Sequence, residues 1–262
     1  MTLWKLTLSY DGTPFSGWQV QPGLPTVQGT LASALAQITG ETLLPQGSGR
    51  TDAGVHALAQ VASFSLAAPL PPENLLRALN RALPPSIRIL SAEIAPPGFH
   101  ARHSACAKTY EYHLFEAKPR ERICPPFLAP YVWDCRWPLT LEPMQQAAAL
   151  LLGTHDFTSF AASDPDLTTR TSNSAPNPIK TITLSTLHRH DGLLLFRITG
   201  SGFLHHMVRN LMGTLVEIGR GALAAEDLPR ILAARNRTLA GPTAPPNGLF
   251  LVSVDYQDEV HP

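Results

Sequence analysis

Hydrophobic and polar positions alternate over residues 3–10, LWKLTLSY. Trp4, Leu6, Leu8 and Tyr10 fall on one face, and Lys5, Thr7 and Ser9 on the other. That period of two predicts a half-buried strand. DGTPFSG (11–17) is turn chemistry. Over 26–40, TVQGTLASALAQITG, the period changes: Val27, Leu31, Leu35 and Ile38 share a helical face, Thr26 stands at the N-cap position and Gly40 at the stop. ALAQVASFSL (57–66) predicts a strand, PPENLLRALNRAL (71–83) a helix entered through proline, and SIRILSAEIA (86–95) another strand. A second series follows. KTYEYHLF (108–115) alternates Tyr110 and Tyr112 against Thr109, Glu111 and His113, and LEPMQQAAALLLG (141–153) predicts a helix. IKTITLSTLHRHDGLLLFRITG (179–200) reads as two strands joined at Asp191-Gly192, a pair that suits a tight hairpin turn. GFLHHMVRNLMGTLVEIG (202–219) predicts an amphipathic helix stopped by Gly219, EDLPRILAARN (226–236) a shorter helix, and GLFLVSVDY (248–256) a closing strand.

Helices alternate with strands in both halves, and the hairpins imply antiparallel pairing. The expectation is an α+β fold: two similar sandwich-like halves sharing a central, mainly antiparallel sheet flanked by helices. The domains are placed at 1–104 and 105–262, with a cleft between the halves where a site would form. AASDPDLTTRTSNSAPNP (161–178) is rich in Ser, Thr, Pro and Asn and reads as a mobile loop.

Composition changes this picture little. The 262 residues, 44% apolar and 15% charged, describe a folded chain with ample core. Basic and acidic residues number 20 each, which argues against a highly basic nucleic-acid coat and leaves room for a local basic groove. Arginine outnumbers lysine 16 to 4; either genome base composition or a use for forked phosphate contacts explains that. Three cysteines, with no Cys-x-x-Cys pair, indicate neither a disulfide framework nor a zinc knuckle. No basic-then-apolar leader follows Met1, and no apolar run approaches about 18 residues, so a soluble, reduced, cytoplasmic protein without a membrane span is expected.

The densest candidate chemistry lies in GSGRTDAGVHA (47–57), by composition the most flexible short stretch of the chain. A nucleotide-triphosphate loop would need Lys-Ser/Thr after the glycines, and Asp52 would repel phosphate. Two readings of Asp52 remain. It closes an Asx-type turn on its own backbone, or it is a reacting carboxylate held ionised by Arg50, with glycines that let a substrate approach and Val55 anchoring the segment at a sheet edge. A glycosidase would need a second carboxylate, and the nearest by sequence, Asp11, sits in a turn. Tyr110 and Tyr112 are either a packing pair or a surface on which a base stacks. Arg209 lies at the edge of an apolar helix face. It is either a surface arginine with a buried stem or a buried one needing an acidic partner, for which Asp52 is the proposal. The histidine pairs 100/103, 188/190 and 205/206 lack a nearby acidic or cysteine cluster, and His205 and His206, adjacent on the predicted helix, would point about 100° apart. No metal site is expected.

Taken together, SYDGTPFSGWQVQP, TVQGTLASAL, GSGRTDAGVHA, FHARHSACAKTYEYHLF, GTHDFTSF, GFLHHMVRNLMGTLVEIGRG and GLFLVSVDY resemble the tRNA pseudouridine synthase A family, in the expected order along the chain. The resemblance implies a homodimeric isomerase, without metal or organic cofactor, that converts uridine to pseudouridine at positions 38, 39 and 40 of the tRNA anticodon stem-loop. It assigns Asp52 as nucleophile, Arg50 to base flipping, Tyr110 to packing on the target uracil and as a candidate acceptor of the C5 proton, and Arg209 to pairing with the nucleophile. Leu249 becomes an apolar wall of the pocket, and Val55, His56, Arg102 and Lys108 join it in binding substrate. Arg77, Arg81, Arg170 and Arg220 are further candidates for an RNA groove. Two departures stand out: Lys108 and Glu111 sit where some members carry two arginines, and residues 173–179 lack an expected arginine. A non-catalytic tRNA-binding protein on the same scaffold, or a base-removing hydrolase, are the competing functions.

Overall fold

The computed structural model describes residues 1–116, 123–163 and 177–257. Arg170 and most of the loop expected to be mobile therefore lie outside the described residues, as does most of the 173–179 stretch. In chain order the principal elements are β1 (Thr2–Tyr10), α1 (Val27–Thr39), β2 (Gln46–Gly47), β3 (His56–Leu66), α2 (Pro72–Ala82), β4 (Ile87–Ile94), β5 (Ala105–Glu116), β6 (Trp133–Cys135), α3 (Leu141–Ala149), β7 (Gly153–Asp156), β8 (Ile179–His190), β9 (Leu193–Gly200), α4 (Met207–Gly219), α5 (Asp227–Ala234) and β10 (Leu249–Tyr256). They fall into two compact units, Met1–Lys108 with Phe250–Pro262, and Thr109–Leu249.

In the first unit the strand order is β4-β1-β3-β10. β1 pairs antiparallel with both β3 and β4, β2 pairs antiparallel with β3, and β10 joins β3 in parallel through Phe250 and Leu251 opposite His56 and Ala57. The apolar face of β1 predicted from alternation is the buried one: Trp4, Leu6, Leu8 and Tyr10 are all in the core. Burying each such side chain stabilises by roughly 1.5–3 kcal/mol, and a one-residue slip of register would forfeit all four. Thr26 caps α1 by accepting from the Gly29 amide, and Gly40 ends it in the left-handed region.

In the second unit the order is β5-β9-β8-β7, with β6 parallel to β5. β8 and β9 form the expected hairpin, and both turn residues take positive φ, 47° at Asp191 and 81° at Gly192, as a two-residue turn with right-handed strand twist requires. α4 is buried over most of its length and packs on α3. Gly213 is required there because a Cβ would run into the Pro242 carbonyl. The mainly antiparallel sheet flanked by helices matches the predicted fold class.

Two helix boundaries differ most. The helix expected over 141–153 ends at Ala149, and Gly153 already opens β7. The helix expected from residue 202 begins at Met207, because His206 adopts a left-handed conformation (φ 59°) at the N-cap. His205 and His206 are consequently not helix neighbours, and their ring centroids lie 3.9 Å apart rather than splayed by a helical turn.

Candidate active site

The 47–55 segment is not the flexible loop that its glycines suggest. Gly47 ends β2, and the Ser48 amide donates to the Val61 carbonyl at 2.8 Å. The Ser48 hydroxyl donates to Gln60 Oε1 at 2.6 Å, and Gln60 Nε2 donates to the Gly49 carbonyl at 3.0 Å. Lys108 Nζ donates to the Ser48 carbonyl at 2.6 Å. On the far side of Arg50, the Thr51 carbonyl accepts from the Trp18 amide at 3.0 Å, and its hydroxyl shares a 2.8 Å bond with the Tyr10 phenol. The Val55 amide donates to the Asp52 carbonyl at 3.1 Å, closing a turn whose third residue, Gly54, has φ 77°. Each of these partners is distant in sequence except the last.

Close backbone approach explains which glycines the segment needs. A Cβ on Gly17 (φ 92°) would sit 2.7 Å from the Thr51 carbonyl oxygen and 3.2 Å from the Asp52 carbonyl carbon. One on Gly47 would lie 2.6 Å from the Trp18 indole, and one on Gly12 would run into the Val55 carbonyl. Trp18 is thus the hub: its amide holds Thr51, its ring lies under Gly47, and its carbonyl takes the Gln28 amide at the start of α1. The outcome is a fixed backbone that presents Asp52 half-buried and Arg50 exposed. Burial pushes the Tyr10 phenol up to about 12, despite its bonds to Thr51 and Gln60, so it remains a neutral hydrogen-bonding strut beneath the segment.

The remaining assigned residues of the first unit fall into different settings. Val55 is in the core. His56 is 1% exposed; its ring stacks on Phe250 with centroids 4.7 Å apart, and Nδ1 accepts from the Gly12 amide at 3.1 Å and lies 3.2 Å from Asp11 Oδ1. The histidine therefore fastens the 11–12 turn to β3. Arg102 is exposed at the tip of a turn whose neighbour Ala101 is fixed by Ser63 Oγ at 3.0 Å and by the Tyr256 phenol at 2.7 Å. Arg77 and Arg81 are exposed on α2.

In the second unit, Tyr110 is 8% exposed and meets Phe203 edge-on, with centroids 5.0 Å apart at 83°. Tyr112 has a different task. It is fully buried, its phenol donates to the Pro245 carbonyl at 2.7 Å, and burial holds its ionisation well above the ordinary tyrosine range. A Cβ on Gly248 would stand 2.5 Å from the His113 carbonyl oxygen and 2.8 Å from the Tyr112 ring. Tyr112 and Gly248 thus set the course of the chain into Leu249, itself 6% exposed. Arg209 Nε donates to the Ala244 carbonyl at 2.8 Å, while the Ala244 amide returns a 3.1 Å bond to the Arg209 carbonyl. The same 240–245 segment is held by Arg237, which reaches the Gly241 carbonyl at 2.9 Å and Asn210 Oδ1 at 3.0 Å, and by the Thr243 hydroxyl on Asn210 Oδ1 at 2.6 Å. Glu111 lies 2.7 Å from His113 Nε2 and 3.8 Å from Arg197 Nη1, and the guanidinium tempers the negative charge noted beside Tyr110.

Sequence reasoning missed the supports: Tyr10, Trp18 and Gln60 under the Asp52 segment, and Asn210, Arg237 and Gly248 around Arg209 and Leu249. A buried Gln60 in the middle of an apolar strand was the one local signal, since a buried amide needs defined partners.

A family profile described as tRNA pseudouridine synthase matches residues 7–104 and 147–257. Among curated proteins, the tRNA pseudouridine synthase A of Solibacter usitatus is 51% identical over 252 residues, covering 96% of this chain and 98% of the relative. That of Moorella thermoacetica is 45% identical over 258 residues, with 96% and 98% covered. A Geobacillus counterpart is 43% identical over 255 residues, with 97% and 98% covered.

Proposed function

The chain belongs to the tRNA pseudouridine synthase family, and from that premise we propose that it isomerises uridine at positions 38, 39 and 40 of the tRNA anticodon stem-loop with Asp52 as nucleophile. As a member of the family it is an enzyme that forms pseudouridine in tRNA. Among the described residues no helix is long and apolar enough to cross a membrane.

The reaction breaks the bond between ribose C1′ and N1 of uracil, turns the ring, joins C1′ to C5 and releases the C5 proton. Nothing is added or lost beyond that proton and the one that N1 takes up. A carboxylate nucleophile must be ionised and held still, since a misplacement of about 1 Å costs about a hundredfold in rate. The observation that supports Asp52 most is its setting: half-buried, on a backbone fixed by Trp18 on one side and the Gly54 turn on the other. Arg50, exposed beside it, is assigned to displacing the target base from the stack, a step that costs a few kcal/mol. Tyr110 is assigned to packing on the everted uracil, Leu249 to the apolar wall, and Arg209 to keeping the nucleophile charged. His56 and Val55 support the segment from the core, and Arg102 serves as an RNA contact. The working form is proposed to be a cytoplasmic homodimer.

Mapping pseudouridine in unmodified tRNA after treatment with the purified protein tests the positional assignment. New pseudouridine confined to 38, 39 and 40 is the expected result. Modification only in other arms of the tRNA would refute it.

A further inference from the structure

We propose that Arg136, Trp137 and Arg220 form a second RNA-docking patch, which grips backbone phosphodiesters of the tRNA away from the nucleotide being isomerised. The inference rests on the reading of the chain as a tRNA-modifying enzyme. The guanidinium carbon of Arg136 lies 4.8 Å from the Trp137 ring centroid, and that of Arg220 lies 5.2 Å from it. Trp137 and Arg220 line a shallow, open depression of about 380 Å³ with Pro138, Gly221 and Ala222.

Two guanidinium groups on one indole repel each other, and the ring offsets that only in part. Glu217 Oε2 approaches Arg220 Nε at 3.1 Å, so one carboxylate faces two guanidinium groups. Among the described residues Arg136 has no carboxylate in ion-pair contact. The arrangement is therefore short of negative charge, and an arriving anion relieves the repulsion. Contact with the indole also restrains each guanidinium, and a guanidinium fork donates in pairs in the geometry that suits a phosphate.

Position argues for RNA as the source of that phosphate. Arg220 follows Arg209 by eleven residues, close to three helical turns, so it lies about 16 Å along the α4 axis at nearly the same angle. Between the two, Gly213 is covered by Pro242, so the patch is separate from the surroundings of Arg209. An RNA that engages one end of α4 has its backbone within reach of the other.

The test is the affinity of the full-length protein for full-length tRNA as salt is raised, for wild type, R136Q, R220Q, the double variant and W137A. Each phosphate contact contributes roughly 0.7–0.9 to the slope of log affinity against log salt, so the double variant should flatten it by about 1.5 and weaken binding about tenfold at moderate salt. R136Q alone, at an exposed position, should give about half the flattening. W137A keeps both charges, so it should weaken binding with little change of slope. The saturated rate of pseudouridine formation should hold in R136Q and W137A. A double variant with wild-type affinity and slope would overturn the proposal, including the case in which the patch serves an acidic protein instead. A wild-type protein that forms no pseudouridine would overturn the enzymatic reading separately.

Discussion

Replacing Lys108 by methionine keeps the length and apolar stem of the side chain and removes its ammonium. In the native protein that ammonium donates to the Ser48 carbonyl at 2.6 Å. Ser48 is 0% exposed, so water does not readily replace the lost donor. A hydrogen bond to a charged group is worth about 1.5–3 kcal/mol, and the half-exposed lysine places the loss near the lower end, about 1.5 kcal/mol. For a chain of this size that lowers Tm by roughly 3–6 °C. Ser48 keeps its bonds to Val61 and Gln60, so the segment stays attached but looser. Four residues further on lies Asp52, and kcat should fall about tenfold by partial loss of positioning. Binding should change little, and its salt slope not at all. Release of tritium from tRNA labelled at uracil C5 reads the rate, because forming the C1′–C5 bond expels that hydrogen. The reasoning fails if K108M keeps wild-type kcat and Tm while its tRNA affinity drops and its salt slope flattens by about 0.7–0.9, for then Lys108 is a phosphate contact and not a latch.

Gly17→Ala should destabilise the protein by roughly 2–4 kcal/mol in urea unfolding, because alanine at φ 92° is strained and its Cβ meets the Thr51 carbonyl at 2.7 Å. Suppressor recovery of stability is not expected from any change at Asp52. Tyr10→Phe addresses alkaline stability. With the folded phenol pushed up to about 12, its contribution is fully present below the ordinary tyrosine value of 10 and is lost as pH rises through 12. The wild type should therefore lose on the order of 2–3 kcal/mol across that window from this residue, and the phenylalanine variant should show a shallower decline in thermal melts.

Much of the fold was legible because its signals are local. The β1 face, the capped α1 and the Asp191-Gly192 hairpin each declare themselves within a dozen residues. The start of α4 did not, since His205 and His206 continue an apolar pattern without breaking it, and only the left-handed turn at His206 excludes them from the helix. The short strands β2, β6 and β7 were also invisible, because two to four residues carry no periodicity and exist through their partners. The candidate site was legible as a motif but not as a structure. Glycine-rich composition suggests mobility, whereas the 47–55 backbone is fixed by Tyr10, Trp18, Gln60 and Lys108, from 11 to 60 residues away. Lys108 shows the same limit: its charge is visible in the sequence, but its engagement with Ser48 is a property of the packed chain.

The central claim, that the Asp52 carboxylate performs the isomerisation, is tested most directly by Asp52→Asn. The substitution keeps size and hydrogen-bonding capacity while removing the charge. Parallel measurements of tRNA binding and pseudouridine formation should show affinity like the wild type and no product. Product formation at the wild-type rate by that variant would contradict the account.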